Sequence, residues 1–242
     1  MTQTEFALEC KKIFEINNLP CSEEQARQLY ALTCRMLEVN EHMNLTAIKE
    51  EKSIILRHYV DSLMISEYIE ENHRVMDVGC GAGFPSLPLA VFRSDLSIVA
   101  LDGTAKRIRY VQETAKMLGL DNVSAIAGRA EEYAHQAEYR QGFDVVTARA
   151  VAALPVLCEL CLPFARVGGK MIAMKSQQAQ DELSQAKNGI RICGGKTDEI
   201  LRRELILENE EPEQRTLILV TKTANTPEKY PRHFSQISKK PL

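Results

Sequence analysis

Three glycines alternate in the stretch DVGCGAGFP (77–85), and an aspartate stands just before them: Asp77, then Gly79, Gly81 and Gly83. Glycines at such a turn let the backbone bend sharply and approach a ligand closely, and a helix entered directly afterwards points its free amides at that ligand. Pro85 suits a first helical turn, where no amide hydrogen is required. Nucleotide cofactors are the ligand class that fits. A dinucleotide fingerprint would place its third glycine at position 84, where Phe84 stands, so the spacing is GxGxG. A second acid, Asp102, closes the run LSIVALD (96–102). A carboxylate there holds two ribose hydroxyls of a nucleotide, and capping the helix that follows is its competing role; DGTAK (102–106) suits either.

Two cations close later runs of the same kind, Arg149 in FDVVTAR (143–149) and Lys175 in MIAMKS (171–176). Ends of parallel strands line the ligand crevice of an open sheet, so both are candidates for positioning a substrate. Arg149 has three readings: a cofactor contact, a clamp on a substrate phosphate, or a surface ion pair. His58, in RHYVDSL (57–63), faces the cleft or pairs with Asp61 three residues on, and the spacing favours the pair. Cys158 and Cys161 form a CxxC, but they sit inside LPVLCELCLPF (154–164) at the spacing of one apolar helix face, which points to buried thiols rather than a zinc or redox site. No metal site is expected.

These residues need elements to carry them. The chain has 242 residues with 45% hydrophobic and 26% charged, which allows one full domain and a small appendage. No long apolar run and no basic-then-apolar leader is visible, so a cytoplasmic protein without a membrane span is expected. Seven scattered cysteines, an odd number, suit reduced thiols. Residues 1–72 read as a helical extension. Ser22 caps a helix with apolar positions Ala26, Leu29, Leu32, Met36 and Leu37, and IILRHYVDSLMISEYI (54–69) repeats the pattern after a polar connection, NEHMNLTAI (40–48).

From Arg74 the pattern alternates. Five short β-prone runs, RVMDVG, LSIVALD, VSAIAG, FDVVTAR and GKMIAMKS, are each followed by helical spacing, the last helix in QQAQDELSQAK (177–187). Such alternation implies a parallel sheet covered on both faces. RRELILE (202–208) and QRTLILVTKT (214–223), separated by NEEPE, should close it as an antiparallel hairpin. The core is thus 73–224, and 225–242 is a basic, proline-bearing, irregular tail. An acid before GxGxG, an acid ending the second strand and a terminal hairpin together resemble the Rossmann-like S-adenosylmethionine-dependent methyltransferases, an α/β fold with a mostly parallel seven-stranded sheet.

The resemblance sharpens along the chain. NLT (44–46), RHYVDSL (57–63), DVGCGAGFPSLPLA (77–90), GRAEE (128–132), FDVVTARAVAALPVL (143–157), GGKMIAMKS (168–176) and YPR (230–232) resemble the ribosomal RNA small-subunit methyltransferase G family, also called glucose-inhibited division protein B. This implies methylation of guanine N7 at one site in 16S ribosomal RNA, with S-adenosylmethionine as cofactor and 16S ribosomal RNA or the small ribosomal subunit as partner. Carried over by position, the cofactor contacts would be Gly79, Phe84, Ala130, Glu131 and Arg149, to which the turn geometry adds Asp77, Gly81, Gly83 and Asp102. Two departures stand out: Ser86 replaces a usual glycine, and the tail reads YPRHFSQISKKPL where the family commonly has a pattern like YPRKAGTPKKNPL.

The implied chemistry agrees with the residues. Guanine N7 carries a lone pair and no proton, so the displacement needs alignment and no general base is expected. Methylation of cytosine C5 would need a cysteine nucleophile, and amino-group methylation an Asn or Asp before Pro-Pro and an aromatic, where this chain has TARAVA (147–152). Lys106, Arg107, Arg109 and Lys116 read first as a solvated helix face; with Arg129, Arg149 and the tail they would make a track for RNA phosphates despite a net charge of -3. Tyr59, Phe84 and Tyr230 read first as packing residues, with stacking on a splayed guanine as the alternative. No heptad seam is visible, and a monomer is expected.

Overall fold

A computed structural model of the chain describes residues 1–176 and 179–242, with side chains for all of these but 179 and 180. The N-terminal part is helical, with α1 (Gln3–Ile16), α2 (Glu23–Met43) and α3 (Glu51–Ile54), which continues through a π turn at Ile55–Val60 into α4 (Asp61–Leu63). Thr2 and Ser22 each begin a helix with a capping box, Ser22 accepting from the Gln25 amide while Gln25 reaches back. The second helix runs to Met43, into the stretch expected to be loop. Asn44, at φ +49°, ends it in the left-handed conformation. Asn40, still helical, turns its amide across the connection: Nδ2 donates to the Thr46 carbonyl and Oδ1 accepts from the Thr46 amide, both at 2.9 Å.

Beyond this lie β1 (Arg74–Val78), α5 (Ser86–Phe92), β2 (Ser97–Asp102), α6 (Ala105–Met117), β3 (Val123–Ala127), α7 (Ala130–Tyr133), β4 (Phe143–Arg149), α8 (Leu154–Cys161), β5 (Ala165–Lys175), α9 (Ala179–Ile192), β6 (Gly195–Leu205), β7 (Glu213–Lys222) and α10 (Phe234–Lys239). Positions 177 and 178 of the helix expected at QQAQDELSQAK lie outside the described residues. The strands form one seven-stranded sheet in the order β3-β2-β1-β4-β5-β7-β6. Strands β1 to β5 are parallel, and β7 inserts antiparallel between β5 and β6. This is the α/β architecture expected, hairpin included.

The hairpin's first strand begins at Gly195, well before the expected Arg202. It is the sheet's edge, and most of its side chains are exposed, so the apolar alternation that marks a strand in sequence is weak there. Its neighbour β7, bonded on both sides, buries Leu217, Ile218, Leu219 and Val220.

Both faces of the sheet are covered. One apolar cluster runs from Phe6, Phe14, Leu29 and Leu32 of the helical extension through Tyr59 and Leu87 to Val145, Ile172 and Leu219. The other joins Met76, Val146 and Met171 to Leu157, Cys161 and Ile190, and Ile237 of the tail belongs to it. The tail is therefore docked and partly helical rather than irregular throughout.

Candidate active site

The order of the strands reverses between β1 and β4, which sit side by side although two strands separate them in sequence. Loops after such neighbours diverge to opposite faces and leave a crevice at the carboxyl edge. The glycine turn follows β1 into this crevice. Gly79, Gly81 and Gly83 have φ of +76°, +56° and +86°, a region side chains rarely adopt. A Cβ on Gly83 would stand 2.6 Å from Leu87 Cδ1, so that glycine serves helix packing; one on Gly81 would meet nothing within 4 Å and would project into open space. Gly81 thus leaves its backbone bare to the crevice.

Asp77 lies behind the turn, almost fully buried. Its Oδ2 accepts from the Ser86 amide at 3.3 Å and from the Ser86 hydroxyl, and its Oδ1 has no partner. Burial raises its carboxyl to about 6, against the lowering effect of the Ser86 hydrogen bonds and of Arg149. Ser86, the residue that replaces a usual glycine, is therefore the brace that ties this carboxylate to the start of α5. Pro85 occupies the N-cap, one position before the helix.

Asp102 ties the start of α6 to the glycine turn. Its Oδ1 accepts from the Thr104 amide at 2.7 Å, at the start of α6, and its Oδ2 accepts from the Gly81 amide at 3.0 Å, locking the glycine turn to the end of β2. Each carboxylate oxygen has a second acceptor site, so these bonds leave capacity for hydroxyl groups of a ligand. Asp102 and Gly79 line a cavity of about 230 Å³ together with Gly128, Arg129, Ala130, Glu131 and Phe234. Glu131, buried in the first turn of α7, has Arg129 at 3.6 Å.

On the other side of Gly79 opens a cavity of about 580 Å³, which Arg149 and Lys175 both line. Its cations are Arg57, Arg107, Arg149, Lys175 and Arg215, against the carboxylates Asp61 and Glu182. Arg149 donates to Asp61 Oδ2 at 2.8 Å and to the Arg57 carbonyl at 3.0 Å, and lies 5.3 Å from the Phe84 ring centroid. The ion pair considered for it exists, but in the cavity wall, mostly buried. Arg215 of β7 donates to Asp61 Oδ1 at 3.1 Å and to Glu213 at 3.0 Å, and Arg57 closes the chain on Glu213 at 2.5 Å. Lys175 donates to the Ala152 carbonyl and to Glu182, each at 2.7 Å.

The expected pair between His58 and Asp61 does not form, because Asp61 is taken by the two arginines. His58 lies in the cavity wall, stacked on Phe84 with ring centroids 4.6 Å apart and planes 9° apart. Its Nε2 meets the Thr46 hydroxyl at 2.9 Å, so the Asn40 clamp indirectly sets the ring, while Nδ1 is buried without a partner. Burial, with Arg149 nearby, lowers its pKa to about 3 and keeps the imidazole neutral. The π turn that carries Arg57 and His58 is a helix defect of the kind often found at functional sites.

Tyr59 is fully buried with its hydroxyl 2.6 Å from that of Thr33, whereas Phe84 lines the larger cavity with one face covered by His58. Tyr230 is buried away from both cavities. Cys158 and Cys161 are buried thiols, pushed well up by burial. Among the described residues no cluster of three or more His, Cys, Asp or Glu is placed to hold a metal. Of the basic run, Lys106, Arg109 and Lys116 are exposed, whereas Arg107 turns into the larger cavity, 3.9 Å from Asp102.

A family model described as GidB, rRNA small subunit methyltransferase G, matches residues 25–205. The chain belongs to this family. A relative from Lactobacillus delbrueckii subsp. bulgaricus, named ribosomal RNA small subunit methyltransferase G, is 41% identical over 229 residues, covering 93% of this chain and 95% of its own. One of the same name from Clostridium tetani is 38% identical over 240 residues, covering 96% and 99%. Among solved structures, M. jannaschii TYW2 in complex with AdoMet aligns at a TM-score of 0.53 with 16% identity over 68% of this chain and 77% of its own. A precorrin-6y C5,15-methyltransferase from Geobacter metallireducens aligns at 0.51 with 15% identity over 68% and 87%. These two likenesses concern the fold. The family is S-adenosylmethionine-dependent, and the residues fit that cofactor: Gly81 leaves its backbone bare to the crevice, Asp102 and Glu131 offer carboxylates in a nucleoside-sized cavity, and the cation-rich cavity adjoins it at Gly79.

The sequence missed Arg215, Glu213 and Glu182 as parts of this site. Arg215 lies far along the chain from Asp61, and only the pairing of β7 with β5, Thr216 opposite Lys175, brings it to the crevice. Nothing short of the strand order signals that.

Proposed function

We propose that this chain transfers a methyl group to N7 of a guanine in 16S ribosomal RNA, using the smaller cavity for the cofactor's nucleoside and the larger one for the base. The observation that carries the reading is the cation-rich cavity that meets the nucleoside-sized one at Gly79. Asp102, Glu131 and Ala130 hold the nucleoside end, the bare backbone at Gly79 and Gly81 follows the chain of the cofactor, and Arg149 receives its carboxylate. Asp77 acts from behind the turn, through Ser86. S-adenosylmethionine, when bound, supplies an electrophilic methyl group.

The protein's part is then alignment and exclusion of water, because N7 has no proton to remove. His58 is neutral and stacked, suited to packing and a single hydrogen bond through its free Nδ1 rather than to acid–base work. Cys80 lines the larger cavity, but burial holds its thiol well above the ordinary range, so it is protonated and unfit for the attack that cytosine C5 methylation requires.

The surplus of positive charge favours an RNA backbone, and the exposed Lys106, Arg109, Lys116, Lys229, Lys239 and Lys240 extend it. Arg232 does not join them, because it is bound to Glu159. In this reading residues 1–72 form a wall of the base pocket, 73–224 hold the cofactor, and 225–242 bear on both the cofactor pocket and RNA. The protein acts as a monomer in the cytoplasm, on 16S RNA or the small ribosomal subunit. No helix among the described residues is long and apolar enough to cross a membrane.

Analysis of 16S RNA from cells lacking this protein tests the reading. One 7-methylguanine should vanish, seen as a lost site of borohydride and aniline cleavage, and purified protein should restore it. Loss of a methyl on cytosine C5 or on an exocyclic amine instead would refute the assignment of N7.

A further inference from the structure

Phe234 lies in the C-terminal segment YPRHFSQISKKPL (230–242). Phe234 is half-buried at the start of α10 and lines the nucleoside-sized cavity together with Ala130 and Glu131. The Arg129 guanidinium lies over its ring, 5.0 Å from the centroid. A solvated chain end would not hold an aromatic ring there.

The preceding residues fix that position. The Arg232 guanidinium grips Glu159, which is fully buried on α8, by Nε at 2.9 Å and Nη2 at 2.7 Å, and the Arg232 amide donates to the same carboxylate at 2.7 Å. His135 Nε2 meets the Pro231 carbonyl at 2.8 Å, and Arg140 donates to the Tyr230 carbonyl at 2.9 Å. On the far side of Phe234, Ile237 is completely buried. The ring is thus held between an anchored segment and a buried residue, in a cavity that Asp102, Glu131 and Ala130 also line.

We propose that Phe234 is a positioning residue for the cofactor, an aromatic wall for the adenine ring. A purine presents a π-face that stacks on an aromatic side chain regardless of its hydrogen-bonding edge, and the Arg129 guanidinium over the phenyl ring helps to hold the wall in place. The tail's anchoring on Glu159 then serves cofactor binding as well as stability. The proposal rests on the cavity being the nucleoside site.

Calorimetric titration with S-adenosylmethionine and S-adenosylhomocysteine tests it on the full chain. Phe234→Ala, which removes the ring, should weaken both by about two- to tenfold, the range of an aromatic stacking contact, while Phe234→Tyr keeps the wild-type affinity. Arg232→Ala should weaken both as well, because the ring loses its anchor. Matching thermal melts of Phe234→Ala and wild type separate a local effect from misfolding. Unchanged affinity in Phe234→Ala, with cofactor bound by the wild type, would overturn the proposal alone. Tighter binding would overturn it too, showing the ring to be an obstruction. Wild-type protein that binds neither compound would overturn the cofactor site itself.

Discussion

Asp61 bridges two arginines from different strands, Arg149 at 2.8 Å and Arg215 at 3.1 Å, and it is 6% exposed. Asp61→Asn keeps the shape and removes the charge. The amide must then turn at least one N–H toward a guanidinium, where only an acceptor is useful. Removing one partner of a buried pair costs about 3–5 kcal/mol. Here the arginines keep other acceptors, the Arg57 carbonyl for Arg149 and Glu213 for Arg215, and their side chains are 15% and 21% exposed. The expected loss is therefore about 2–3 kcal/mol, below the fully buried range. For a chain of this size that lowers the melting temperature by about 4–12 °C. Urea unfolding measures the free energy directly, and a cycle with Arg215→Gln isolates the coupling. Cofactor affinity should fall as well, since Arg149 loses its aim. A variant within about 0.5 kcal/mol of wild type, the scatter of an ordinary surface substitution, with unchanged affinity would refute the view that this network builds the cavity wall.

Asp77→Asn addresses the buried carboxyl that burial raises to about 6 from an ordinary 3.8. A raised folded-state pKa means that its contribution to stability is complete below about pH 4 and is lost as pH rises through 6, a swing on the order of 3 kcal/mol. The variant should flatten stability against pH across that window, and an unchanged slope in urea titrations at several pH values would contradict the reasoning. Asp102→Ala should weaken S-adenosylmethionine about ten- to a hundredfold, from the loss of charged hydrogen bonds of about 1.5–3 kcal/mol. It should also lower the melting temperature, because the Gly81 and Thr104 amides lose their acceptor. Undiminished affinity in a folded variant would remove Asp102 from the site.

The alternating glycines behind Asp77, the acid closing β2, the five strand–helix alternations and the terminal pair of apolar runs were all legible in the chain itself, because each is a local matter of backbone freedom or of side chains alternating across a buried surface. Those patterns carried the fold class, the glycine turn and the family resemblance. Weaker local signals blurred the start of β6, an edge strand that buries little, and the end of α2, where Asn40 bonds across the turn instead of within it. The partners of the site residues were not legible. His58 and Asp61 lie one turn apart and invite pairing, but Asp61 is claimed by Arg149 and Arg215, which reach it only through the sheet order that seats β7 beside β5. Arg232 and Phe234 read only as parts of a basic tail until the fold brought Arg232 to Glu159 and Phe234 to the smaller cavity. Charges and rings find partners by proximity in space at a cost set by burial, and neither distance nor burial between remote segments exists until the chain has packed.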